Sequence, residues 1–462
     1  MLIYVIAILI LVAIFAVQRH RALNGNGASR TKIALPIVVA YDPTRSWPQT
    51  PVGVQMPPEE GVRGSRSQAY AAGIRWVHIY LSWKRLEPQN TSPENFDWQA
   101  YDGVLADLSA RGFQVIVNVD RNPSWAASSR RGPIDRTGLD EFEQFIGAVA
   151  RRYSRPPYNL HHYQFYIEPD DWAYKPNGER GAWGGYGAEY AKMLERAYRA
   201  IHGADLAGKV ILGGLANETW AGCDPSPCFD LNFLDDVVQA GGAPFIDIMN
   251  FHYYEAFKTR WTPHQPVGKA LALRDKLPVD QRNKPFVCTE MGTPYWRQDE
   301  DVAITRERQA RFVVQGFAHI MGASAYGLAM PACTWFSFET YSQGVRKFGL
   351  LDSNGAPLPA YWALKTLTTE VPERPVGVEL IATNRVAGYR YTMASGNQRL
   401  ILWTEDERTA AYDLSSPRVQ VISIYGKVRD VVDGQAGDED HQANRRVRIA
   451  VAGEPVIVRL VR

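Results

Sequence analysis

The chain has 462 residues, of which 45% are hydrophobic, 22% charged and 11% aromatic, a globular composition that excludes disorder, collagen-like repeats and coiled coil. Lys and Arg total 51 against 49 Asp and Glu, a net charge of +2, which is too balanced for the electrostatic footprint of a nucleic-acid binder. The 23 Tyr and 13 Trp can supply core, and they also suit sites that stack flat apolar faces such as sugar rings.

Taken in chain order, the first feature is an apolar run from Leu2 to Val17. It is short for a membrane span of about 20 residues and long for the core of a secretory signal. Arg19, His20 and Arg21 follow it and would favour a cytosolic carboxyl side, which conflicts with the remainder of the reading. We expect residues 1–23 to be a signal-anchor or uncleaved export segment that contacts a membrane as a hydrophobic helix. Residues 24–32 form a polar linker, and the folded part is expected to be extracytoplasmic.

Short apolar strands then alternate with amphipathic stretches. The expected strands are Ile33–Tyr41, Ile74–Leu81, Phe113–Val119, Tyr163–Ile167, Lys209–Gly214, Phe245–Phe251, Pro285–Thr289 and Tyr326–Trp335. Leu139, Phe142, Ile146, Val149 and Tyr153 recur at helical spacing, and Tyr190–Ile201 and Glu307–Met321 read similarly. Eight strands each followed by a helix predict a (β/α)8 TIM barrel over residues 33–370. That span exceeds the roughly 250 residues typical of such barrels, so long loops are implied at the strand ends. From Val371 the texture is β-rich and broken by Gly, Asn and Asp, and residues 371–462 are expected to form an antiparallel β-sandwich. Cys223 and Cys228 enclose Asp-Pro-Ser-Pro and could close a local disulfide, whereas Cys288 and Cys333 read as buried thiols.

Two glutamates stand just past apolar strands, in Tyr166-Ile167-Glu168-Pro169-Asp170 and in Val287-Cys288-Thr289-Glu290-Met291-Gly292. In a β/α barrel the chemistry sits where strands end. Two carboxyls facing each other there can divide labour between a protonated acid and an ionised nucleophile or base, the requirement for cleaving a glycosidic bond. Neither a metal nor a cofactor is needed for that chemistry.

Several segments, in order, resemble the clan A retaining glycoside hydrolases, nearest to families 39, 42 and 5. They are Gly73–Trp83 with Leu86-Glu87-Pro88 and Phe96-Asp97-Trp98, Arg111-Gly112-Phe113 leading to Asn122-Pro123-Ser124-Trp125, Phe251-His252-Tyr253-Tyr254, Thr289-Glu290, Trp335, and Gly349 through Trp362. The resemblance implies Glu168 as general acid/base and Glu290 as nucleophile, with His252 and Tyr254 beside the nucleophile and Trp335 as a sugar-stacking floor. By their places on or after predicted strands, His78, Trp125, Asn217 and Trp296 are further candidate contacts to a carbohydrate substrate, while Glu87 and Asp102 match family positions and read as structural hydrogen-bonding residues.

Two positions depart from the clan. Ile167 stands where an Asn ordinarily precedes the acid/base, and His78 where an Arg is frequent. An isoleucine cannot hydrogen-bond a sugar hydroxyl, so a second reading stays open: a non-catalytic carbohydrate-binding barrel serving exopolysaccharide assembly or export.

Overall fold

The computed structural model describes residues 47, 49–172, 181–218, 228–262 and 264–461. The hydrophobic segment and linker, the expected strand at 33–41 and Cys223 lie outside them. Among the described residues no helix is long and apolar enough to cross a membrane.

Eight parallel strands form a nearly closed barrel, consistent with the TIM type: β1 (Val52–Gln55), β2 (Trp76–Ser82), β3 (Gln114–Asp120), β4 (His162–Phe165), β5 (Lys209–Ile211), β6 (Met249–Tyr254), β7 (Phe286–Gly292) and β8 (Ala332–Trp335). Their order is β5-β4-β3-β2-β1-β8-β7-β6, and single parallel bridges, Ile211 to Ile248 and Leu215 to Phe251, join the two ends. β2 and β3 carry runs such as Val-His-Ile-Tyr-Leu and Val-Ile-Val-Asn-Val that are almost wholly buried, as strands lined inside and covered by helices outside must be.

The place between β2 and β8 belongs to Val52–Gln55, a correction to the expectation that residues 33–41 supply the first barrel strand. Four residues are the minimum at which a run stands out, and Gly53 and Gln55 interrupt the apolar character of this one. The expected strand Tyr326–Trp335 is likewise trimmed: Ala323–Tyr326 is a 3-10 turn, and pairing begins at Ala332.

The helices follow the periodicity. In Leu139–Tyr153, Phe142, Phe145, Ile146, Val149 and Tyr153 face the barrel, with Asp140 and Glu141 in the first turn and Arg151 and Arg152 in the last, charges that complement the helix dipole. Val302–Gly322 is capped by Asp301, whose carboxylate accepts from the amides of Ala303 (2.7 Å) and Ile304 (3.3 Å).

Beyond the barrel, β9 (Gly377–Ala382), β10 (Val386–Thr392), β11 (Gln398–Thr404), β13 (Arg418–Ser423), β14 (Val428–Val432) and β16 (Val456–Leu460) form an antiparallel sheet in the order β9-β10-β11-β16-β13-β14. β12 (Ala410–Leu414) and β15 (Val447–Val451) pair separately. Leu400, Leu402, Val419 and Val458 of the larger sheet share one core with Leu414, Val447 and Ile449 of the smaller.

These sheets pack against the barrel's helices along an apolar seam. Tyr391 donates to the Ala318 carbonyl (2.7 Å) and the Tyr389 hydroxyl meets His319 Nδ1 (2.9 Å). A Cβ at Gly322 would stand 2.3 Å from the Tyr389 ring, so only glycine admits that approach. Buried Glu370 accepts from Arg399 Nε (3.2 Å) and Arg459 Nε (2.7 Å), tying the last barrel helix to β11 and β16.

Candidate active site

The site is built where β4, β6 and β7 end. Pairing of β7 shifts register against both neighbours, between Phe251 and His252 on β6 and between Cys288 and Met291. Such an irregularity re-aims side chains. Thr289 consequently lies beside Asn250 (Oγ1 to Oδ1 3.1 Å) and His252 (Oγ1 to Nε2 3.3 Å), while its neighbour Glu290 also reaches the His252 ring (Oε2 to Nδ1 3.6 Å). At β4 the chain leaves through Tyr166 and Glu168, with φ of 60° and 43°, left-handed conformations that cost roughly 1–2 kcal/mol for a residue with a Cβ. Hydrogen bonds from the Glu168 amide to Gly214 O (3.2 Å) and from the Asp171 amide to Glu168 O (2.9 Å) hold this exit.

His252 sits between the two glutamates. Its Nδ1 lies 3.1 Å from Glu168 Oε1 and 3.6 Å from Glu290 Oε2, and one ligand-type atom from each of the three residues falls within 4.8 Å of the others. Tyr254 donates its hydroxyl to Glu290 Oε2 at 2.5 Å. The other oxygen, Glu290 Oε1, is buried and accepts no hydrogen bond, a cost of about 1–3 kcal/mol for a protein without ligand. Glu168 is the more accessible partner, its side chain 28% exposed against 5% for Glu290. The same trio has the donor types and spacing of a three-ligand cation site.

Burial pushes the Glu290 carboxyl up against the charge of His252, and the Glu168 charge adds to the rise. Burial would raise Glu168 as well, but the hydrogen bond and charge of His252, with Arg131 and Lys269 behind them, hold it below the usual carboxylate range. Burial opposes a charged His252, yet Glu290 and Glu168 together lift it above the ordinary imidazole value. Relative to an ordinary carboxyl, the surroundings thus push Glu290 towards its neutral form and Glu168 towards its charged form.

Of the other residues read from the sequence, His78 is wholly enclosed, with Nδ1 3.4 Å from Gln55 Oε1. Burial and the charge of His252 push it down to about 3, so it is neutral at working pH. Asn217 is nearly buried and engaged through its backbone, its amide donating to Asp170 Oδ2 (2.6 Å) and its carbonyl accepting from Arg260 (2.8 Å). Glu218 is a buried anchor for Lys269 (3.1 Å), Arg260 (3.2 Å) and the Trp261 indole (2.5 Å). Trp125 is half-buried, edge-on to Trp83, and donates to Glu87 O (3.3 Å). Trp296 lies half-buried in a small hairpin sheet beneath the Lys347 ammonium. As read, Glu87 and Asp102 serve structure, through Trp83 and Arg152.

Trp335 requires a correction. It has no exposed surface and packs outward against Phe312 of the covering helix. The next residue, Phe336, faces the site instead, its ring 6.0 Å from that of Tyr254. Strand alternation turns one residue away from the other, and the sequence does not reveal that phase.

Three groups near the pair are absent from the sequence reading. Asp120, the last residue of β3, is 2% exposed; its Oδ1 accepts no hydrogen bond and its closest cation is Arg121 Nε at 3.7 Å. Burial raises its carboxyl to about 6 against Arg121 and Arg131. Arg131 donates Nη2–H to Ile167 O (2.8 Å), while its Nε is buried without an acceptor. The third is Gly214, where a Cβ would stand 2.0 Å from His252 Nε2. A carboxylate at a strand end, like Glu168, was the available signal for Asp120.

Two expected results arise directly. Gly214→Ala should displace His252, lowering turnover about 100-fold and stability by about 1–3 kcal/mol, as steady-state rates and thermal unfolding would report. Tyr254→Phe removes one of the influences that lower the Glu290 carboxyl, so the acid limb of a kcat/KM profile should move to higher pH. Its rate should fall roughly 10–100-fold, and an unmoved acid limb would detach Tyr254 from the ionisation of Glu290.

No family model matches the sequence, and no curated protein matches it. Solved structures do resemble it. A family 39 glycoside hydrolase from Bacteroides cellulosilyticus superposes with a TM-score of 0.63 at 16% identity, over 89% of this chain and 81% of that one. The catalytic domain of GH30 xylanase C from Talaromyces cellulolyticus gives 0.58 at 11% identity over 90% and 98%. A glucosidase from Croceicoccus marinus gives 0.58 at 14% over 89% and 95%. The chain thus shares the fold of clan A glycoside hydrolases.

Proposed function

We propose that the chain is a retaining glycoside hydrolase acting on a β-linked poly- or oligosaccharide. One observation carries the reading: Glu168 and Glu290 face each other across His252 with one carboxylate oxygen of each within 4.8 Å, close enough for the pair to act on a single anomeric carbon as retention requires. Glu290, ionised and fixed by Tyr254, attacks the anomeric carbon while Glu168 gives its proton to the departing oxygen. Water then adds to the anomeric carbon, Glu168 takes its proton, and Glu290 leaves as carboxylate. The role requires His252 to favour Glu290 once sugar is bound, the reverse of the resting bias.

Export or membrane anchoring belongs to the same proposal. It is supported by the disulfide-bonded state of Cys228, which fits an oxidising compartment. Cys288 and Cys333 are free and buried.

The test is reaction of the protein with a panel of activated 2-fluoro glycosides, followed by intact-mass and peptide analysis. A sugar adduct on Glu290, formed equally in a chelator, is expected. Turnover of a glycoside whose 2-fluoro analogue leaves no adduct would overturn the retaining mechanism. Glycan binding without turnover would favour the non-catalytic barrel.

A further inference from the structure

Away from the glutamates, a groove of about 740 Å³ runs between the last barrel helix, Pro359–Glu370, and the turn that joins β13 to β14. Three of its lining side chains are large and exposed: Trp362 (48%), Tyr425 (43%) and Val428 (46%). Solvent-facing aromatics converging on one depression from two different parts of a fold call for an explanation.

Both rings are held in place. Trp362 stands edge-on to Tyr361 at 5.2 Å, with the Lys365 ammonium 5.4 Å from its ring. The Tyr425 hydroxyl donates to Glu307 Oε2 at 2.7 Å. Gly426, at φ 81°, supplies the left-handed backbone that this turn requires. The floor is the ion-paired Glu370 and Arg459, already mutually satisfied. Lys365, by contrast, makes no ion pair among the described residues and is free to donate.

Flat aromatic faces fixed beside hydroxyl and ammonium groups match the two surfaces of a sugar chain, its apolar C–H faces and its rim of hydroxyls. The lining sets the Trp362 and Tyr425 rings beside the Lys365 ammonium and the hydroxyls of Thr366 and Thr369, a pairing that suits a sugar chain. The groove also begins on the right side of the barrel. Its helix follows β8, so Pro357 and Pro359 lie towards the strands' carboxyl ends, the face that carries Glu168 and Glu290. We infer that the groove is a second carbohydrate-binding site, which grips a glycan chain through Trp362 and Tyr425 outside the catalytic cleft.

The inference rests on the carbohydrate reading above, and its test separates the two. Full-length protein with Glu290→Gln is run by affinity electrophoresis through xylan, β-1,3-glucan, β-1,6-glucan, galactan and polygalacturonate, with and without Trp362→Ala and Tyr425→Ala. In the active background the same two substitutions are assayed on an aryl glycoside. The expected result is a tenfold or greater loss of retention in at least one polysaccharide, recovery with Trp362→Tyr, and unchanged aryl-glycoside turnover. Unchanged retention, or no retention of any polysaccharide by the parent chain, overturns the second site even if catalysis is proven. Self-association of the parent that Trp362→Ala abolishes would assign the groove to another copy of the chain and overturn it as well. Thermal unfolding of each variant excludes loss of fold.

Discussion

Glu290→Gly should lower hydrolysis by about 10⁴-fold or more, and added azide should restore turnover while giving a glycosyl azide of inverted anomeric configuration. The reasoning is geometric. Removing the side chain empties the space beneath the anomeric carbon, and Glu168 opposite can still protonate the leaving oxygen. Azide enters from the vacated face, forms the bond that the carboxylate would have formed, and stays, because one displacement rather than two has taken place. A 10⁴-fold loss corresponds to about 5.5 kcal/mol of transition-state stabilisation. NMR of the product reads the anomer directly. An undiminished rate, or a rescued product of retained configuration, would remove Glu290 from the nucleophile's role.

Glu168→Ala should behave in the opposite way and reveal itself through the leaving group. A glycoside with a dinitrophenolate leaving group needs no proton, so its first step should stay fast. The second step, which needs a base to activate water, should be slow, giving a burst and an accumulated covalent intermediate. A sugar leaving group needs the proton, and its cleavage should fall roughly 10²–10⁴-fold. Azide should speed release of the intermediate and yield a product of retained configuration. Equal losses on both substrates would mean that Glu168 positions rather than protonates. Glu168→Gln, which keeps an acceptor 3.1 Å from His252, separates loss of the proton from loss of the histidine's support.

Much of this arrangement is legible in the residues. Glu168 and Glu290 could be picked out because each ends an apolar run, and the helices because Phe142 through Tyr153 keep a 3.6-residue beat over about three turns. What escaped depends on phase and on contacts distant in sequence. Val52–Gln55 is too short to announce itself. β12 and β14 carry Asp413 and Arg429-Asp430 on exposed sides, which blurs their apolar alternation. Trp335 and Phe336 are both aromatic, and only the direction of β8 decides which one meets the site. Arg131 approaches Glu168 through a carbonyl 36 residues away, a relationship that no local pattern encodes. Glu218 stands next to the candidate contact Asn217, yet its carboxylate is held by Lys269, 51 residues later.

The seam at Gly322 bears on how the protein can be taken apart. A single apolar core continues from the barrel's helices through Tyr389, Tyr391, Ile401 and Trp403, and Glu370 sits inside it as the shared counter-ion of two arginines. Cutting the chain after the barrel would bare those rings' partners and leave a buried carboxylate without its cations, a loss of several kcal/mol against the 5–15 kcal/mol that ordinarily holds a domain folded. The carboxyl-terminal sheets are therefore not a cassette to be trimmed or exchanged. Melting should occur as one event, and a library of fusions or truncations should find its tolerated breakpoints elsewhere than at the end of the last barrel helix.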